Sequence, residues 1–362
     1  MAIITNIFAR PFAVLAGSSV GLRAVSRTVH TWAARALLVC FIHAGLLALP
    51  VEAYKFASGT YTGTGSGFTV DISDTSDFED FQPTACIVKG DGNLEGVIRI
   101  EGMDATSSQP LDGSTAVTTG ITALAANGFT ISTGSSVNTL STVYYYVCWA
   151  NDASNDFSYG TYAGTGVDQD ITISPSFQPE MVLVVSDNGS VPVVWRGASS
   201  HSGDITSSFS NVADEANKIE VLNADGFNVG TDACCNTNAV SYFYIAFKSG
   251  VSTIKTGTYT SNTATCADDC AVTGLGFQPQ FILIKGNSTT APAAKFTPQT
   301  GDDSCYMDSS SSCFTNVLQA FGADGFTYGG NAAVNTNGVV YGWFAMREAA
   351  ATRRPVSPFM FQ

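Results

Sequence analysis

Beyond residue 53 the apolar residues fall in short runs bounded by clusters of Gly, Asn, Asp, Ser and Thr, and no stretch sustains a strong 3.6-residue period. The densest runs are VYYYVCWA (143–150), VSYFYIAF (240–247) and VVYGWFAM (339–346). They consist largely of β-branched and aromatic residues that suit a pleated, half-buried surface, so each predicts a strand. The shorter runs ACIVKG (85–90), EMVLVVS (180–186) and QFILIKG (280–286) predict another. A turn cluster overlaps or follows each: Gly90-Asp91-Gly92-Asn93, Asp187-Asn188-Gly189 and Gly286-Asn287-Ser288. Those residues accept the positive φ that tight hairpins require. The best helical candidate, Asn211–Val221, predicts one short helix or none.

These runs recur as a unit. Gly-Thr-Tyr opens each copy (Gly59-Thr60-Tyr61, Gly160-Thr161-Tyr162, Gly257-Thr258-Tyr259), and Phe-Gln-Pro marks the short apolar run (Phe81-Gln82-Pro83, Phe177-Gln178-Pro179, Phe277-Gln278-Pro279). A Gly-Phe pair follows (Gly128-Phe129, Gly226-Phe227, Gly325-Phe326), and an Asn-Thr leads into the aromatic closing run. Equivalent landmarks lie 96 to 101 residues apart, in the same order three times over, which defines a tandem repeat. About 95–100 residues with several short strands and polar loops is the size and texture of a β-sandwich. The chain is therefore expected to be all-β, with three tandem antiparallel β-sandwich modules at 54–151, 152–250 and 251–348. A targeting segment, 1–53, precedes them and a basic, aromatic tail, 349–362, follows.

This order of motifs resembles a repeat module common in phage tail-fibre and virion-surface proteins. It is more distantly similar to the H-type lectin domain, a β-sandwich that binds sugars and assembles as a trimer. The resemblance covers residues 57 to 346 and implies a sandwich fold and a role in attachment. It transfers no sugar-contacting residue onto this chain, because the shared pattern consists of core and turn positions.

Residues 1–51 contain four Arg and no acid, and Ala36–Leu49 is an apolar run of 14 residues followed by Val51-Glu52-Ala53. That is the layout of a secretory signal cut near Tyr54, with organelle import and a retained membrane anchor as the other readings. The remaining chain holds 12 basic against 29 acidic residues, a net of −17. Nucleic acid is excluded as a partner on that charge. Eight Cys remain, an even number, as an exported protein stapled by disulfides would have. Cys266/Cys270 and Cys305/Cys313 each bracket a short loop and are expected to pair. Cys86 and Cys148, aligned with Val182/Ile282 and with Ile245/Phe344, either pair or stay as buried thiols. Cys234 and Cys235 are neighbours, and a bond between them would be strained. A zinc site built from four cysteines would need CxxC pairs, which are lacking.

The candidate chemistry is sparse. Of three His, two (His30, His43) precede residue 54, which leaves His201 in a Ser-rich stretch expected at the surface. Asp71, Asp74, Asp77, Glu79 and Asp80 form the densest acidic run, expected to be a solvated loop; no cofactor is expected, and calcium, the alternative reading, lacks the spacing of an EF-hand loop. No nucleophile elbow, phosphate loop or zincin motif occurs. Arg99, Trp195 and Lys295 are aligned across the copies, which places Trp195 either outward beside Arg196 as a ligand-binding pair or packed between modules. The expected function is a non-enzymatic, exported repeat protein for surface attachment or glycan binding, where linked weak sites gain avidity. The partner is then a glycan or cell-surface component, with self-association into an oligomer or filament as a further expectation. A structural subunit of an extracellular filament, sheath or coat is the second reading, and a carbohydrate-active enzyme the third.

Overall fold

The computed structural model describes residues 54–72, 81–104, 106–114, 119–151, 154–187, 189–308 and 312–349. The targeting segment, the tail beyond Ala349 and the acids from Asp74 to Asp80 lie outside the described residues.

The first module runs β1 (Lys55–Thr62), β2 (Phe68–Asp71), β3 (Ala85–Gly90), β4 (Val97–Ile100), β5 (Gln109–Pro110), β6 (Ile121–Ala125), β7 (Gly128–Ile131) and β8 (Val143–Ala150). A five-stranded antiparallel sheet, β1-β8-β3-β4-β5, faces a three-stranded one, β2-β7-β6. The second and third modules repeat both sheets strand for strand. Three tandem antiparallel β-sandwiches are thus the fold. The stretch 211–221 forms no helix: it is loop until the strand Ile219–Asn223.

The repeated motifs are packing devices. A Cβ on Gly59, Gly160 or Gly257 would sit 2.2–2.6 Å from the side chain of Tyr146, Tyr244 or Trp343, so only Gly lets the first strand lie beneath that aromatic. Likewise a Cβ on Gly128, Gly226 or Gly325 would meet the carbonyl oxygen of Val70, Ile171 or Val272 at about 2 Å. The Phe beside each of these glycines is buried, as is the Phe of each Phe-Gln-Pro. The Asn of each Asn-Thr is buried too. Asn236 accepts from the amide of Thr165 (2.7 Å) and donates to the carbonyls of Val167 (2.6 Å) and Gly230 (2.7 Å), tying the loop after the module's first strand to the turn before the last strand. Tyr242 closes that turn, donating to the Ala233 carbonyl (2.9 Å) and accepting from the Thr237 amide (2.7 Å). Tyr144 and Tyr341 make the same two bonds in their modules.

Each central strand is buried on both faces, which explains its unbroken apolar run. One face of β3 (Cys86, Val88) meets its own three-stranded sheet. The other (Ala85, Ile87) meets a second core shared by all three modules, to which Met181, Leu183 and Val185 and then Phe281 and Leu283 contribute from the equivalent strands. The five-stranded sheets therefore stand around a common axis, with Trp149 touching both Phe247 (5.7 Å) and Phe281 (6.3 Å). Hydrogen bonds repeat around this ring. The Gly96 amide donates to Met307 of module three (3.0 Å), and the equivalent Val193 amide donates to Leu111 of module one (3.0 Å). Pro292 stands at the third equivalent position and has no N–H to give.

Candidate functional site

Trp195 and Arg196, the expected ligand-binding pair, are both internal. Strand pairing aligns Arg196, not Trp195, with Arg99 and Lys295: these three oppose Val182, Cys86 and Ile282 on the neighbouring strand. The alignment read from sequence is one residue out, and in a strand one residue inverts the face. Trp195 belongs with Ile98 and Ala294. It is 0% exposed, lies edge-on to Phe344 at 5.1 Å and sits 3.7 Å from where a Cβ on Gly342 would stand. Its extra volume is taken up by a glycine on the next module. Cys148 is shifted in the same way, aligning with Ala246 and Ala345.

The three aligned cations clamp loops. Arg196 donates to the carbonyls of Ile205, Gly203 (2.6 Å) and Ile219 (3.3 Å). Arg99 holds those of Ser107, Asp104 (3.0 Å) and Ile121 (3.5 Å), and Lys295 those of Gly301 (3.0 Å) and Asp303 (2.6 Å). Each secures the loop after the fourth strand by filling its carbonyls with charge-assisted bonds.

His201 is buried at 8% exposure, edge-on to Trp195 at 4.8 Å, rather than at the surface. Its Nδ1 accepts from the Gly197 amide (3.2 Å), so Nε2 carries the proton and donates to Ser207 Oγ (2.9 Å), which donates to Asp214 Oδ1 (2.6 Å). Ser200 Oγ also lies 3.2 Å from Nδ1, but the far nitrogen meets the Ser207 hydroxyl and not the carboxylate that would orient a catalytic imidazole. The arrangement is therefore a polar core link. Burial, reinforced by Arg196, holds the imidazole down at about 3. An unfolded His titrates near 6.5, so the unfolded chain binds a proton that the folded one refuses as pH falls through that window. Stability should drop on acidification, and at pH 4 this His accounts for about 3 kcal/mol. Urea titrations at pH 7 and pH 4 check it: His201→Gln should lose about 3 kcal/mol less than wild type between the two, whereas equal losses contradict it.

Among the described residues three disulfides are present, Cys86–Cys148, Cys266–Cys270 and Cys305–Cys313, while Cys234 and Cys235 are buried thiols. Three disulfides indicate an oxidising compartment. Among the described residues no three His, Cys, Asp or Glu are grouped to hold a metal, and no helix is long and apolar enough to cross a membrane. A comparison with family models finds no match, and no curated protein is significantly similar to the chain.

One face stands out by its exposed apolar side chains. The antiparallel register puts Tyr54 and Met346, where the described body begins and ends its strands, at one end of the ring. The loops that cross from the first strand to the other sheet are at the other, and they span five, five and nine residues: 63–67, 164–168 and 261–269. The first two are Gly-Thr-Gly-Ser-Gly and Gly-Thr-Gly-Val-Asp, and the third ends against the Cys266–Cys270 staple. Leu140 (69%) and Val167 (63%), the most exposed large apolar side chains, lie here. Asp91, Asp168, Asp187 and Asp268 are exposed on this distal face, but its lysines, Lys89 and Lys285, are 0% exposed. Burial lowers both ammonium groups to about 8. Lys55, Lys248, Lys255 and Arg347, the described cations with exposed surface, sit at the opposite end. The repeated landmarks are core and turn positions and gave no signal for this face.

Proposed function

We propose that the protein is a non-enzymatic, exported attachment head that binds a glycan or another cell-surface component through its distal face. The observation that carries this reading is the clustering of exposed apolar side chains on the distal face, where Leu140, Val143, Val167 and Val340 all lie. Apolar side chains left exposed together on loops of a rigid scaffold mark an interaction surface. The resemblance to tail-fibre repeats and H-type lectins points the same way. With exposed acids and buried lysines, this face suits neutral or cationic ligands and repels sulfated or sialylated ones. A glycan array on wild type, Val167→Glu and the opposite-end control Lys255→Ala tests it. Neutral glycans should be retained by wild type and control and lost at least tenfold by Val167→Glu. Equal binding by all three would refute the distal face. Absence of glycan binding together with regular arrays in negative stain would favour the structural-subunit reading.

A further inference from the structure

The ring has three seams, and the backbone crosses two of them, through residues 151–156 and 249–253. The seam between modules three and one closes without a peptide link. Of the disulfides in the modules, one lies in module one, two in module three and none in module two. Of these, Cys305–Cys313 sits on the seam itself. The Cys313 amide donates to Asp91 Oδ1 of module one (3.2 Å), Ser312 Oγ reaches Asn93 Oδ1 (3.5 Å), and the Gly96 amide donates to Met307, two residues beyond Cys305. At the other end of the seam the Thr297 amide meets Ser58 Oγ at 3.4 Å, and Tyr145 stacks on Phe296 at 5.9 Å.

We propose that the Cys305–Cys313 disulfide is a latch for the one seam that the chain does not cross. It holds the Met307 carbonyl and the Cys313 amide together in the geometry that receives Asp91 and Gly96. A local opening must release both at once, and a bond that closes a separation of eight residues removes about two decades from such an opening equilibrium by loop-closure entropy. The two seams joined by backbone have no disulfide beside them and gain their effective concentration from the linkers. Closure of the ring is thereby tied to oxidation of this one pair.

Residue-resolved hydrogen exchange on the full chain tests this, because Gly96 and Val193 are equivalent amides bonded across different seams. In Cys305→Ser/Cys313→Ser the Gly96 amide should exchange about 100-fold faster than in wild type. Thr297 should accelerate with it, while Val193 changes less than threefold. Cys266→Ser/Cys270→Ser, which removes the other staple of module three, should leave Gly96 unchanged. Equal acceleration of Gly96 and Val193, or none at Gly96, would overturn the latch. Should the double serine variant fail to fold, Asp91→Ala/Asn93→Ala removes the module-one half with the disulfide intact. It must likewise accelerate Gly96 selectively, and uniform exchange in that variant would also overturn the proposal.

Discussion

Trp195→Ala should lower the unfolding free energy by about 3–5 kcal/mol, the cost of emptying a fully buried aromatic site. Trp195 lies in the core that the three modules share, with Phe344 of module three edge-on to its ring and Gly342 leaving the space it fills. The loss should register as one earlier transition in urea, followed by near-ultraviolet circular dichroism, because a hole at the common axis weakens all three modules together. Trp195→Phe, which keeps most of the volume, should cost less than half as much. A change below about 1 kcal/mol in the alanine variant would mean that the indole is not enclosed.

Asn236→Ala should cost about 2–4 kcal/mol by a different mechanism, since it strands polar groups rather than opening a hole. The side chain serves the amide of Thr165 and the carbonyls of Val167 and Gly230, and the Gly230 carbonyl lies in a buried stretch without ready access to water. Asn236→Asp separates the donor half from the acceptor half. Its carboxylate still accepts from Thr165 but faces two carbonyls, so the variant should be least stable at neutral pH and recover as acid protonates the new group. Thermal unfolding of the three proteins at pH 7 and pH 4.5 measures this. An Asp variant as stable as wild type at pH 7 would show that the two donated bonds contribute nothing.

Fold class and module order were legible because their causes are local. Gly-Thr-Tyr, Gly-Phe and Asn-Thr each mark a place where only one residue type fits, and they recur because each module repeats the same close approach. The ring was not legible. Burial of the central strands on both faces reads only as a continuous apolar run, which an isolated sandwich core also produces. The position of Trp195 depended on an alignment with Arg99 and Lys295 that is out by one, and no local motif corrects such a slip. Cys86–Cys148 was one of two open alternatives, and the strand register settles it by placing the two side by side. The distal face was missed for a related reason: its signal is which loop side chains stay exposed, whereas the landmarks are core and turn positions.

Small-angle X-ray scattering on residues 54–349, extrapolated to zero concentration, tests the shared core most directly. One body of nearly 300 residues should have a radius of gyration of about 19 Å. Three separate sandwiches strung about 30 Å apart would give about 27 Å instead. A value near the first supports three modules closed around one core, and a value near the second contradicts it.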